Sequence, residues 1–572
     1  MDQPFPDNKL IIYQLLPRLY GNAKTINKIY GSIEENGAGK FNDINAKVLQ
    51  EIKAMGFSHV WYTGVIEHAT MTDHSAFGIS GDDPDIVKGR AGSPYAIKDY
   101  YDIDPDLAVD VKNRIGEFED LIKRSHEIGL KVIMDFVPNH VARTYSSDAK
   151  PEGVHDFGQD DDKTKAFDPK NDFYYLPGQS FVVPKGYNPG GDNFKSPLKD
   201  GKFDENPARA TGNDIFSATP TIDDWFETIK LNYGVDYETG KTYFKPTPPL
   251  WNKMFDILDY WAKKGIDAFR CDMVEHVPFE FWGWLIPKLK KAHPDLIFIG
   301  EAYDTSLYNK YISIGKFDYL YDKVGLYDTI KRLTRNEYGA NTWEINRVWN
   351  QDTNGIDQHM LRFMENHDEQ RIASSYFAGD AWLAIPGMIV TATLSTGPVM
   401  IYFGQEVGEP AAGAEGFSPD DGRTTIFDYW GVPEHQKWLN NGLNNGGGLS
   451  KNQKYLRSFY STLLNAVKNN EALRNGKFYE LMLANQYQPG FDTFLYIYLR
   501  YTYNQRVLVI TNFSRDGRQI QARLPDDLLM QLNVHGEKLF TDLLSGHTFY
   551  TWNINNGINI SLPPMSGVLL QF

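Results

Sequence analysis

Two hydrophobic periods alternate along the first part of the chain. Leu10-Ile11-Ile12-Tyr13-Gln14 is an apolar run of strand length. Over residues 42–55 the spacing turns helical, with Ile44, Val48, Ile52 and Met55 on one face and Gly56 as a stop. His59-Val60-Trp61-Tyr62 predicts the next strand. Residues 115–128 repeat the helical pattern, with Phe118, Leu121, Ile122 and Ser125 on one face before Gly129. Residues 131–136 predict a buried strand that ends at Val137-Pro138. Strands and helices in turn, separated by glycine stops, read as βα units on a parallel sheet.

The pattern breaks over residues 142–249, a stretch rich in Gly, Pro, Asp and Lys with few apolar runs. A structureless loop of about 100 residues is implausible in a compact chain, so this stretch reads as an inserted small domain. The alternation then resumes. Helices are predicted over 251–264, 281–292 and 453–467, and strands over 266–272, 296–301, 317–321, 360–365 and 398–403. The strands starting near residues 10, 59, 131, 266, 296, 317, 360 and 398 make eight, which predicts a (β/α)₈ TIM barrel. After the last helix the period changes to two. Residues 493–503, 506–512 and 567–572 predict a C-terminal antiparallel β-sandwich. The expected division is barrel 1–141, insertion 142–249, barrel 250–472 and sandwich 473–572.

Composition narrows the function classes. The net charge of −16 repels phosphate backbones and anionic lipid, which argues against nucleic-acid and membrane-surface partners. No apolar stretch reaches the length of a spanning helix. A single cysteine, Cys271, excludes intramolecular disulfides and cysteine metal clusters. Met1 to Lys9 has no basic start and no apolar run, so it does not read as a signal peptide, and the compartment stays open. Aromatic residues reach 14%, enough for cores and, in addition, for sugar-stacking platforms.

Barrel enzymes place their chemistry at the C-terminal ends of the strands. Four of the eight strand ends carry it here: Asp135-Phe136-Val137-Pro138-Asn139-His140, Phe269-Arg270-Cys271-Asp272, Gly300-Glu301-Ala302 and Glu365-Asn366-His367-Asp368. Glycoside cleavage needs one carboxylate opposite the anomeric carbon and one carboxylic acid beside the leaving oxygen. A third acid nearby raises the proton donor by like-charge repulsion. Asp272, Glu301 and Asp368 supply three. Strand alternation puts Arg270 on the same side as Asp272, and Cys271 on the other.

These four segments, in this order, resemble the signature regions of the α-amylase family, glycoside hydrolase family 13. Tyr13-Gln14 with Pro17-Arg18 is similar to its first strand, and the segment from Gly397 to Glu406 to its eighth. The resemblance implies Asp272 as nucleophile, Glu301 as acid/base, and Asp368 as the group that grips the sugar hydroxyls. It implies that Arg270 orients Asp272, that His140 and His367 bind the −1 sugar, and that Tyr95 stacks there. It also implies a structural calcium, held by Asn139, the carbonyl of His276, and Asp223 in the loosely matched segment Ile222-Asp223-Asp224-Trp225. Glu275 stands where starch amylases often carry lysine, which leaves the product pattern open.

The implied activity is retaining hydrolysis of α-1,4 bonds in starch-like glucans or maltooligosaccharides. A transglycosylase, maltosyltransferase or cyclomaltodextrinase on the same fold is the alternative. A non-catalytic glycan-binding subunit would be expected to lack one of the three acids, and all three are present. The polar insertion offers Tyr174, Tyr175, Tyr187, Trp225 and Phe226 either as sugar contacts or as its own core.

Overall fold

Eight short, largely apolar segments pair side by side in the computed structural model, which describes residues 9–413 and 420–572. They are β1 (Ile11–Leu15), β2 (His59–Tyr62), β3 (Lys131–Phe136), β4 (Ala268–Cys271), β5 (Ile297–Gly300), β6 (Tyr319–Tyr321), β7 (Met360–Leu361) and β8 (Val399–Tyr402). All neighbours are parallel, in the order β7-β6-β5-β4-β3-β2-β1-β8. A parallel bridge between Arg362 and Val399 joins the two ends. Arg362 N donates to Pro398 O (3.0 Å) and Met400 N to Arg362 O (2.9 Å), so the sheet closes into a barrel. The N-terminal segment read above for targeting lies, apart from Lys9, outside the described residues.

All eight expected strands are found. The seventh is shorter than its apolar pattern suggests. Past Arg362 the chain leaves the sheet, and Asn366 Oδ1 accepts from both Asp368 N and Glu369 N at 2.9 Å. That local turn competes with the ladder and carries the rim residues out of it. The helix expected over 42–55 occupies Ala46–Ala54, because Asn45 caps it by accepting from Val48 N. The last barrel helix, Lys451–Asn469, starts on a capping box between Ser450 and Gln453.

Residues 142–249 fold with little regular structure. Antiparallel pairs join His140–Ala142 to Thr228–Lys230, Tyr175–Leu176 to Ala208–Arg209, and Val235–Asp236 to Lys241–Thr242. A small core of Ile86, Phe181, Val183, Ala208 and Ala218 lies beneath. Buried Arg143 donates to Glu205 at 2.6 Å. Tyr174, Tyr175 and Phe226 are buried, so these rings serve the insertion's own packing.

The C-terminal region forms a six-stranded antiparallel sheet of Lys477–Glu480, Leu495–Tyr501, Arg506–Asn512, Ser566–Gln571, Lys538–Asp542 and Thr548–Thr551, in that order. Arg518–Ala522 pairs with Ile558–Leu562 beside it. Polar contacts lock it to the barrel: Thr342 Oγ1 donates to Leu495 O (2.7 Å), and buried Arg500 to Leu394 O (2.7 Å). Among the described residues no helix is long and apolar enough to cross a membrane.

Candidate active site

Positions at or just past the ends of β2 to β6 converge on one guanidinium. Arg270, fully buried on β4, donates from Nη1 to Asp272 Oδ1 at 2.8 Å. Its Nη2 lies 2.8 Å from Glu301 Oε1. Its Nε donates to the Tyr321 hydroxyl at 3.1 Å. Asp135, at the end of β3, closes the ring: Trp61 Nε1 donates to it at 2.9 Å, and Arg270 Nη1 and the Tyr95 hydroxyl lie 3.4 Å away. One cation thus faces three buried carboxylates.

The backbone fixes the two central acids. Asp272 N donates to Phe136 O (2.8 Å) and Glu301 N to Cys271 O (3.0 Å), which extends both ladders by one residue. Met273 then turns left-handed at φ 42°, so its N–H points back and donates to Glu301 Oε2 at 2.9 Å. Burial first, and then the charge of Glu301, pushes Asp272 well above the usual carboxylate range, against the pull of Arg270. Asp272 therefore resists ionisation more than an isolated carboxylate does.

Asp368 stands apart, with a third of its side chain exposed. Burial opposes its charge, but His367 beside it and their hydrogen bond hold the carboxyl below its usual range. Gln14 Nε2 donates to His367 Nδ1 (2.8 Å), which leaves Nε2 of the imidazole facing Asp368 Oδ2 (3.0 Å) and the Tyr95 hydroxyl (2.5 Å). The Tyr95 and His367 rings stack at 5.3 Å. His140 hydrogen-bonds the Tyr95 backbone, and burial above all lowers its imidazole to about 3, so it is neutral. Asp272, Glu301, Asp368, Arg270, His367, Tyr95 and His140 therefore form one connected group. Cys271 points away from them, and burial pushes its thiol up, which makes it inert.

Sequence reasoning missed Tyr303. Its hydroxyl donates to Glu301 Oε1 at 2.6 Å, and burial, followed by the Glu301 charge, keeps it protonated. Strand parity gives no signal there, because β5 ends at Gly300. Gln14 had a signal, as a polar residue inside an apolar strand. A donor to the ionised acid favours the ionised form. Tyr303→Phe should therefore make the carboxyl pair hold its proton to higher pH. The alkaline limb of kcat/KM moves upward while the melting temperature stays near wild type; an unmoved limb refutes this positioning role. Glu275 accepts from Asp304 N at 2.6 Å, so it ties the β4 turn to the loop after β5.

The proposed calcium ligands do not form an ion cage. Asn139 Oδ1 already accepts from the Lys230 ammonium at 2.8 Å, and the same Nζ lies 3.5 Å from His276 O. Asp223 is exposed on a turn. The carboxylate that reaches this corner is Asp214, ion-paired to Lys230 and hydrogen-bonded to His276 Nδ1 at 2.9 Å. Of the expected set, Asn139 Oδ1 and the His276 carbonyl both face the Lys230 ammonium. A separate buried acidic cluster, Glu67, Asp99 and Asp102, brings its oxygens within 4.8 Å of one another. Asp99 there accepts from Ser147 Oγ and three backbone N–H groups, and Asp102 pairs with Arg114. Burial pushes Glu67 up to about 9, so it keeps its proton.

A closed parallel barrel with a carboxylate pair on one arginine and a third acid across the rim defines a barrel glycosidase. The family description "Alpha amylase, catalytic domain" matches residues 28–476. The chain belongs to the α-amylase family and is a glycoside hydrolase or transglycosylase of that fold. It is 22% identical over 457 residues to Alpha-amylase 3 of Dictyoglomus thermophilum, covering 74% of each chain. It is 26% identical over 281 residues to the Alpha-1,4-glucan:maltose-1-phosphate maltosyltransferase of Picrophilus torridus, covering 48% of this chain and 33% of that one. The crystal structure of a maltogenic α-amylase, AmyB from Thermotoga neapolitana, superposes with a TM-score of 0.61 at 18% identity, covering 98% of both chains.

Proposed function

We propose that this enzyme cleaves α-1,4-glucosidic bonds in starch-like glucans or maltooligosaccharides with retention of configuration. The observation that carries the reading is the Arg270 guanidinium, which holds Asp272 and Glu301 side by side at 2.8 Å each. Such bracketing suits the close carboxyl spacing of retaining enzymes, about 5–5.5 Å, rather than the gap of about 6.5–9.5 Å that admits a water. Glu301 donates a proton to the glucosidic oxygen as the bond to C1 breaks. Asp272 attacks C1 from the opposite face and forms a glycosyl ester. Glu301, now ionised, takes a proton from water, whose oxygen attacks C1 and releases Asp272. The two inversions give net retention.

Asp368, with His367, Tyr95 and His140 beside it, binds the −1 sugar and grips its hydroxyls more strongly as the ring flattens. The proposed domain division follows the same lines: barrel 1–141 and 250–472, insertion 142–249, sandwich 473–572. No step of this mechanism passes through a metal ion.

The test is a time course on amylose and on maltotriose, with proton NMR of the first products. Mid-sized fragments from amylose and a first-formed α-anomer are expected. A β-anomer first sinks the Asp272 assignment. Products longer than maltotriose, outpacing glucose, show transfer to sugar instead of water, as the name of the Picrophilus relative describes for that protein.

A further inference from the structure

We propose that the Lys230 ammonium is the resident cation at the junction of insertion and barrel, and that this corner needs no calcium. Three separate segments meet there. Asn139 follows β3, His276 follows β4, and Asp214 sits in a turn of the insertion. Lys230 ends the strand Thr228–Lys230, whose register places it opposite His140. Its side chain is 1% exposed.

The stoichiometry fits an ammonium. Lysine offers three donors and no acceptor. Nζ faces three oxygens: Asn139 Oδ1 at 2.8 Å, His276 O at 3.5 Å, and Asp214 Oδ1 in an ion pair. Calcium asks for about 6–8 oxygens at about 2.3–2.6 Å, with none of the space taken by a side chain. The orientation of Asn139 is held from its other end, where Nδ2 donates to Gly212 O at 2.6 Å. Asp214 is held by His276 Nδ1 through its second oxygen. The Tyr237 ring lies under Nζ at 5.3 Å and adds a cation–π contact.

The charges also match, since the Lys230 ammonium forms an ion pair with the Asp214 carboxylate. A buried charge persists only when it is paired and hydrogen-bonded, and both are so here. The corner supports the −1 wall directly. Trp225 packs against both His140 (5.3 Å) and His276 (6.1 Å).

A cation that is part of the chain cannot be chelated. Thermal unfolding of the full-length enzyme, in chelator and in millimolar calcium chloride, should give one melting temperature, and the purified chain should carry no calcium at this corner. Lys230→Met keeps the stem, removes the charge, and leaves Asp214 Oδ1, Asn139 Oδ1 and the His276 carbonyl without the ammonium they face. That variant should melt several degrees lower and recover part of the loss with calcium, since a ligand bound only by the folded state stabilises it. A wild-type chain that loses several degrees in chelator overturns the proposal, provided the loss disappears in Asn139→Ala. A folded Lys230→Met that ignores calcium also overturns it. If Lys230→Met does not fold, the wild-type response decides alone.

Discussion

Asp272→Asn should reduce kcat on maltooligosaccharides by at least about 10⁴-fold, in a protein that melts no lower than wild type. Three observations set that expectation. Asp272 Oδ1 is held at 2.8 Å by Arg270, so its other oxygen is the one presented to the anomeric carbon. Its N–H is spent on Phe136 O, which fixes the backbone that carries the side chain. An amide of the same shape keeps these contacts but is a far weaker nucleophile, so the glycosyl ester does not form. Stability should hold, because the amide relieves the repulsion from Glu301 while Asp135 and Glu301 continue to balance Arg270. The check is steady-state kinetics beside thermal unfolding. A folded variant that keeps a tenth of the activity removes Asp272 from the mechanism.

Glu301→Gln should separate substrates by leaving group. The positioned acid contributes about 10²–10⁴-fold where the departing oxygen needs its proton, as a glucose hydroxyl does. A nitrophenolate departs without one, so an aryl α-maltoside should still form the ester at a rate near wild type. Hydrolysis of that ester then slows, since no base takes the proton from water. The expected record is a burst of nitrophenol followed by a slow phase, with the glycosylated chain visible by mass spectrometry. Equal losses on aryl maltoside and maltotriose would show that Glu301 is not the proton donor. Tyr303 and Met273 N, which hold its two oxygens, would then need another explanation.

Much of this architecture is legible without coordinates. Each barrel strand is buried on both faces, so it appears as an apolar run bounded by glycine or proline, and eight such runs are countable. The acids stand out because a charge at the end of an apolar strand is costly unless it is used. The insertion is less legible. Its ladders are two or three residues long, and its folding rests on buried ion pairs such as Arg143 with Glu205, which leave no period in the sequence. The rings proposed there as sugar contacts divide for the same reason: Phe226 is core, while Trp225 lies against His140 and His276.

By itself the sequence determined the barrel and the parity that turns Arg270 in and Cys271 out, and it singled out the three acids proposed as catalytic. These depend on spacing within one strand or on order along the chain. Tertiary structure alone decided which groups surround the acids. Tyr95 meets His367 across 272 residues, Gln14 reaches the same ring across 353, and Lys230 finds Asn139 across 91. No local pattern encodes such pairs, because barrel closure and the folding back of the insertion bring them together. The choice between a bound metal and a lysine at the insertion corner belongs to this second kind. Asn139 and His276 are compatible with either cation, and only the folded position of Lys230 shows which one the oxygens face.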